Sequence, residues 1–221
     1  MTRVVIMLTQ DDVTIPHAAE AFRNLRDTGI SDIGFKDIGL PFEGRKKLVA
    51  AIKREHMNVY FEIVRGTRED TIRSAREAVE LGVDYLIGGK YLQEVASIVK
   101  ANKIKYYPYV GRVFGHPCLL AGSIDEILAE AREREGRGVD GLNLLAYRYN
   151  GDSRSLIRNL KGALKVPLLV AGSVDSSEKI QFLTRLKIPA FTVGTALFEK
   201  KFLPGASLSD QVKFVLREAN Q

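Results

Sequence analysis

Two apolar runs near the end of the sequence each stop at a glycine followed by a small hydroxyl residue. One leads into Gly172-Ser173 and the other into Gly194-Thr195, and each is followed by helix-forming residues. A glycine lets an anion come close to the backbone. A helix N-terminus adds N–H groups without intrahelical partners and a partial positive charge. The spacing suits two neighbouring strands gripping one phosphate between their ends. The plainer reading is a pair of strand-to-helix turns in which glycine only permits tight packing.

A second group of residues has the makings of acid–base chemistry. Side chains alternate across a strand, so apolar positions facing the helices turn their neighbours inward. With Ile33 and Phe35 outward, Gly34 and Lys36 face inward. With Val59, Phe61 and Ile63 outward, Tyr60, Glu62 and Val64 face inward. With Leu142 and Leu144 outward, Asn143 faces inward, and Lys90 ends the fourth strand. Lys36, Glu62, Lys90 and Asn143 can therefore converge at one mouth. Lys36 and Glu62 lie on neighbouring strands, where they form either a buried pair that fixes packing or an acid–base pair. Desolvation would push both toward neutrality. A carboxylate and an ammonium facing a sugar phosphate can take one proton and return another, and a deprotonated lysine can instead attack a carbonyl as a Schiff-base nucleophile. Asp11, after the first strand, is either a general base or a helix cap. Arg112, in a long loop after the fifth strand, is a candidate second phosphate ligand. Tyr147, Arg148 and Tyr149 cover a ligand or form a loop edge, and Asp37 faces outward.

Eight strand-to-helix units must position these groups. Strands are expected at 4–9, 32–37, 59–64, 85–89, 106–110, 141–146, 168–171 and 191–193. The first helix is expected near Thr14-Ile15-Pro16, with a hydroxyl cap and an early proline. Thr67 with Asp70, and Ser123 with Glu126, read as further caps, and the seventh helix begins near Asp175 or Ser176. Repeated βα units imply a parallel sheet, and eight is the number that closes a barrel. The expectation is one α/β domain over residues 1–221, a single (β/α)8 TIM barrel. An open doubly wound sheet would usually bind phosphate after its first strand, but residues 9–12 contain no glycine. Gly66 and Gly172, Gly88 and Gly194, and Gly34 and Gly141 recur in nearly one register. That pattern suits a duplicated half-barrel with a second anion site near Arg65-Gly66-Thr67 and Gly88-Gly89-Lys90, although evenly spaced units also produce such coincidences.

Composition narrows the function classes. The net charge of +6 comes from lysine and arginine spread over many helices and mixed with acids. A nucleic-acid binder concentrates such charge on one face, so no nucleic-acid partner is expected. No apolar run approaches the roughly 20 residues needed to span a bilayer, so no membrane partner is expected. The first residues read as a strand rather than a signal peptide. The single cysteine, Cys118, excludes an internal disulfide and a cysteine-rich zinc site. These features favour the cytoplasm. No histidine or carboxylate spacing matches a metal motif, and no metal or cofactor is expected. A homodimer is left open.

The segments 171–180 and 193–202 resemble the strand-seven and strand-eight phosphate turns of the ribulose-phosphate-binding barrel superfamily. The likeness is nearest to the histidine-biosynthesis isomerase and cyclase barrels. It implies a (β/α)8 fold and a phosphorylated substrate, and it carries over Gly172, Ser173, Gly194 and Thr195 as phosphate ligands. The chemistry departs from that family. The histidine-pathway isomerase uses aspartates at strands one and five, whereas here strand one ends in Thr9-Gln10 with Asp11 late, and strand five ends in Val110-Gly111-Arg112. The metal-binding histidines and aspartates of the pentose-phosphate epimerases are missing. Relatives acting on amino-sugar phosphates work through a lysine and a carboxylate, parts open to Lys36 and Glu62.

Three functions follow from this reading. The first is a metal-independent isomerase or epimerase of a phosphorylated sugar or related metabolite. The catalytic candidates are Lys36, Glu62, Lys90 and Asp11, with Arg112 and Asn143 as further substrate contacts. The second is a Schiff-base lyase or aldolase on the same substrate class. The third is a non-catalytic barrel that binds a phosphorylated ligand.

Overall fold

Runs of β-branched, aromatic and leucine side chains alternate with segments of helical periodicity, and the chain folds to that rhythm. The computed structural model describes residues 2–220. Its parallel strands are β1 (Arg3–Met7), β2 (Asp32–Lys36), β3 (Asn58–Ile63), β4 (Tyr85–Gly88), β5 (Lys105–Tyr107), β6 (Leu142–Leu144), β7 (Leu168–Val170) and β8 (Ala190–Val193). They pair in the order β6-β7-β8-β1-β2-β3-β4-β5. The two outer strands then meet. Tyr109 and Asn143 form a parallel bridge, and the Asn143 N–H donates to the Pro108 carbonyl at 2.9 Å. The sheet becomes a nearly closed (β/α)8 barrel, as expected. β5 is shorter than the sequence predicts because Pro108 has no N–H to give the ladder.

The helices form the outer layer: α1 (Ala18–Leu25), α2 (Phe42–Arg54), α3 (Arg68–Leu81), α4 (Gln93–Ala101), α5 (Ile124–Gly136), α6 (Ser153–Ala163), α7 (Ser177–Arg185), the short α8 (Thr195–Phe198) and α9 (Leu208–Ala219). Thr67 caps α3, Ser123 and Glu126 form a reciprocal capping box on α5, and Ser176 caps α7. The first helix departs from expectation. α1 begins at Ala18 without a side-chain cap, and Thr14 belongs to a small hairpin. The Thr14 hydroxyl instead accepts from the Lys36 N–H at 2.8 Å and donates to the Lys36 carbonyl at 3.0 Å.

Strand alternation divides the apolar residues into two cores. Ile33, Phe35, Phe61, Leu142 and Leu144 pack outward under the helices, and all are fully buried. Val5, Met7, Tyr60, Tyr85, Ile87, Tyr107, Leu169 and Ala190 fill the barrel interior. Tyr60 and Tyr85 stack with centroids 4.1 Å apart, the Tyr60 hydroxyl donates to Asp32 at 3.0 Å, and Arg3 donates to the Tyr85 hydroxyl at 3.1 Å. Arg3 and Asp32 open their strands, so this packing plugs the N-terminal end. Polar inward side chains are left to the C-terminal mouth, the usual place for a barrel's chemistry.

Gly141 shows how tight the interior is. A Cβ there would lie 2.2 Å from the Tyr107 ring. Gly141→Ala is expected to cost about 1–3 kcal/mol by overpacking, read as a lower denaturant midpoint with an unchanged slope.

Two of the three glycine pairs aligned by the half-barrel spacing differ in conformation. Gly172 has φ +105° whereas Gly66 is not left-handed, and Gly88 has φ +75° whereas Gly194 has φ −134°.

Candidate active site

The site begins with a turn. After β1 the chain does not enter a helix; Thr9–Gln10 pairs antiparallel with Val13–Thr14, and only Asp11 and Asp12 connect them. Their φ angles are +49° and +63°. Two left-handed central residues are what a two-residue hairpin with the right twist requires, and aspartate tolerates that region better than most residues. The turn sends the two side chains apart. Asp11, the expected candidate, is exposed, whereas Asp12 is 2% exposed and enters the barrel mouth. The sequence left Asp11 open as general base or helix cap; the chain makes a hairpin there instead, and it is Asp12 that lines the cleft.

Asp12 is held by three donors. Lys36 Nζ lies 2.7 Å from its Oδ1, Arg148 Nη1 lies 2.6 Å from its Oδ2, and the Cys118 N–H donates to Oδ2 at 2.9 Å. Burial opposes its charge, but the Arg148 hydrogen bond and the Lys36 ammonium prevail and hold the carboxyl well below the usual carboxylate range. Lys36 Nζ also lies 3.4 Å from Glu62 Oε2, a pair set by the β2–β3 register that places Lys36 beside Glu62. Burial alone would lower the lysine's pKa. Glu62 and Asp12 outweigh it and raise the pKa above the ordinary value. This corrects the expected drift toward neutrality: Lys36 is a fixed ammonium.

Glu62 is surrounded by donors. The Tyr109 hydroxyl donates to its Oε1 at 2.8 Å, and Asn143 Nδ2 approaches the same oxygen at 3.4 Å. Burial, then Glu62, raises the Tyr109 pKa well above its ordinary value, so the phenol stays protonated. Asn143 Oδ1 is buried without a hydrogen-bond partner among the described residues. The Cys118 thiol is pushed up to about 11, first by burial and then by Asp12, so the sulfur is not a ready nucleophile.

The two glycine corners open onto the same cleft as Lys36 and Glu62. Gly172, with φ +105°, lies against Arg148; a Cβ there would meet Arg148 Cγ at 3.3 Å. A Cβ on Gly194 would meet Thr9 Oγ1 at 2.6 Å. Among the described residues, the N–H groups of Gly172, Ser173, Thr195 and Ala196 make no hydrogen bond to the protein, and neither do the Ser173 and Thr195 hydroxyls. Free backbone donors and hydroxyls without side-chain bulk can receive an oxyanion. The cleft holds about 650 Å³ of empty space including its open mouth. Two further ion pairs stand at its rim, Lys179–Asp175 at 2.8 Å and Lys201–Glu199 at 3.0 Å.

Lys36, Glu62 and the four corner residues Gly172, Ser173, Gly194 and Thr195 thus share one cleft, and Asn143 supports it through Glu62. Lys90 does not join them. It is exposed, and its carbonyl accepts from the Tyr106 hydroxyl at 3.1 Å. Arg112 is also exposed, on a hairpin of Arg112–Phe114 with Leu119–Ala121, where it does not line the cleft. The residues of the expected second anion site lie away from this cleft; there the Gly89 N–H donates to the Ile63 carbonyl at 2.9 Å and the Thr67 hydroxyl is engaged with Asp70. Asp12 and Tyr109 are the residues sequence reasoning missed, and Arg148, read there as covering a ligand or forming a loop edge, proves to be a partner of Asp12. Paired turn residues between Thr-Gln and Val-Thr are a hairpin signal that could have found Asp12. Alternation from Tyr107 would have turned Tyr109 inward but for the intervening proline. Arg148 sits in a single 3-10 turn, Ala146–Arg148, which has no periodicity to read.

Fold and site define a parallel (β/α)8 barrel with a charged, hydrogen-bonded cluster at its C-terminal mouth. No protein-family model matches the sequence, and no curated protein matches it. Solved structures do resemble it, and they are of the ribulose-phosphate-binding barrel type. Orotidine 5′-phosphate decarboxylase from Pyrococcus horikoshii superposes with a TM-score of 0.72 at 15% identity, covering 99% of each chain. Phosphoribosylanthranilate isomerase from Thermotoga maritima gives 0.67 at 15% identity over 100% of this chain and 99% of that one. Tryptophan synthase from M. tuberculosis gives 0.67 at 14% identity over 99% and 92%. At such identities the likeness carries the fold, not the reaction. Among the described residues, no helix is long and apolar enough to cross a membrane, and no three His, Cys, Asp or Glu side chains are grouped to hold a metal ion.

Proposed function

We propose that this barrel is an enzyme that isomerises or epimerises a phosphorylated sugar or related metabolite by proton transfer beside a carbonyl, without a metal. The observation that carries the reading is that the free corners at Gly172 and Gly194 and the Lys36–Glu62 pair line one cleft. The phosphate is held at the corners, with Arg148 against Gly172. The carbonyl end reaches the floor of the cleft. Glu62 removes the proton from the carbon next to the carbonyl, and the C–H electron pair becomes the carbon–carbon double bond of an enediolate. The carbonyl π electrons move onto oxygen, where the Lys36 ammonium stabilises the charge. Return of the proton to the other carbon, with the neighbouring hydroxyl proton passing to the enediolate oxygen as its own carbon becomes the carbonyl, isomerises the substrate. Return of a solvent proton to the opposite face of the first carbon, the abstracted one leaving Glu62 to solvent, epimerises it. Asp12 keeps Lys36 charged and aimed, and Tyr109 orients Glu62.

The same geometry favours proton transfer over Schiff-base chemistry. Lys36 is a paired ammonium with no lone pair to attack a carbonyl, and Lys90 lies outside the cleft. Borohydride treatment in the presence of a sugar phosphate is therefore expected to leave the protein mass unchanged. The direct test of turnover is deuterium uptake from solvent. Across a panel of ketose and aldose phosphates, at least one should acquire deuterium at the carbon beside its carbonyl. A borohydride-trapped adduct, or no exchange with any member, would overturn the proposal.

Thr195→Asp tests the anion seat. An acid at the first helical position suits the fold, but it puts a negative charge beside the proposed phosphate. Affinity for inorganic phosphate by calorimetry is expected to fall about tenfold or more.

A further inference from the structure

The charges around the cleft also bear on the unreacted part of the substrate. Among the described residues, every cation lining the cleft already has a carboxylate partner: Lys36 has Asp12 at 2.7 Å, Arg148 has Asp12 at 2.6 Å, and Lys201 has Glu199 at 3.0 Å. Asp175, also on the lining, is balanced by Lys179 from behind at 2.8 Å. The floor itself is two cations facing two carboxylates. Every hydrogen-bonding neighbour of Glu62 is a donor. No cation is in surplus there to receive a second anion.

One anion has a seat that does not need a surplus cation. The corners at Gly172 and Gly194 offer backbone N–H groups and the Ser173 and Thr195 hydroxyls, none of them engaged with the protein. A second phosphate finds no equivalent seat on the cleft, because Gly172 and Gly194 are the glycines that line it and the residues 65–67 and 88–90 do not. A carboxylate at the reacting end would lie against Glu62 and Asp12, and like charges in a partly desolvated site repel. A hydroxyl or carbonyl group meets no such penalty. The floor presents the Lys36 ammonium as donor and the Glu62 carboxylate as acceptor.

Resting on the phosphate reading above, we infer that the substrate is a monophosphate whose reacting end is neutral, bearing hydroxyl and carbonyl groups and neither a carboxylate nor a second phosphate.

Calorimetry on the full chain tests this with a matched pair. Glycerol 3-phosphate and 3-phosphoglycerate differ by a CH2OH against a carboxylate, and inorganic phosphate and fructose 1,6-bisphosphate complete the set. Glycerol 3-phosphate is expected to bind about tenfold or more tightly than 3-phosphoglycerate, and the bisphosphate is expected to gain nothing over a monophosphate. Glu62→Gln removes one negative charge from the floor without changing its shape. It should narrow the gap between the matched pair by improving 3-phosphoglycerate. If 3-phosphoglycerate binds wild type as tightly as glycerol 3-phosphate, or the gap survives Glu62→Gln, the inference falls while the phosphate seat stands. If neither inorganic phosphate nor any of the phosphate esters binds, or Thr195→Asp leaves their affinity unchanged, the phosphate reading falls and takes the inference with it.

Discussion

Glu62→Gln is expected to lower kcat by roughly a hundred- to ten-thousandfold, the usual contribution of a general base, while the protein remains folded. The amide keeps the carboxylate's shape and an oxygen for the Tyr109 hydroxyl, which lies 2.8 Å away. Lys36 keeps Asp12 at 2.7 Å, so no buried cation is stranded. What disappears is the ability to accept a proton from carbon. Circular dichroism and the melting temperature should stay close to wild type, and solvent deuterium uptake should stop. A collapse of stability without a specific loss of exchange would make Glu62 a packing residue.

Asp12→Asn should do the reverse, damaging stability and geometry together. Asp12 joins four pieces of the mouth: its own hairpin, β2 through Lys36, the turn after β6 through Arg148, and the 112–121 hairpin through the Cys118 N–H. Removing its charge leaves a guanidinium without its carboxylate and an ammonium with only Glu62 at 3.4 Å. Breaking a buried pair in this way costs about 3–5 kcal/mol. The pH dependence gives a separate readout. Because the folded-state pKa of Asp12 lies below its unfolded value of about 3.9, the unfolded chain binds its proton first as pH falls. The contribution of Asp12 is fully present above that unfolded value and is lost as pH drops toward the folded one. Lys36, with its pKa raised, mirrors this: its contribution is present below about 10.4 and is lost as pH rises through the higher folded value. Urea titrations should therefore show wild type losing stability at both extremes, with Asp12→Asn flattening the acid limb. A steep acid limb that persists in Asp12→Asn would remove Asp12 from this role.

Asp11 supplies the contrast. It shares the turn and the left-handed conformation but is exposed. Asp11→Asn, which keeps a residue tolerant of that region, is expected to leave turnover within about twofold and stability within about 0.5 kcal/mol.

Much of this was legible in the residues. Ile33 and Phe35, Val59 and Phe61, and Leu142 and Leu144 alternate at the period of a strand, so Lys36, Glu62 and Asn143 had to turn inward. Gly172 and Gly194 end apolar runs with hydroxyls behind them, and both corners open onto the cleft. Lys90 went astray because strand periodicity says nothing once the strand has ended; β4 stops at Gly88 and the chain turns away. Arg112 went astray because a loop that appeared continuous folds into its own hairpin and carries the guanidinium outward.

The sequence by itself determined the eight-unit barrel, the glycine corners and the inward-facing Lys36 and Glu62, since each follows from local periodicity or backbone freedom. Only the tertiary structure decided that Asp12 rather than Asp11 enters the mouth, and that Arg148 and Tyr109, from the segments after β6 and β5, meet Asp12 and Glu62. The physical reason is range. Side-chain alternation acts over a few residues, whereas pairing a buried charge depends on whatever barrel closure brings within about 3 Å of it.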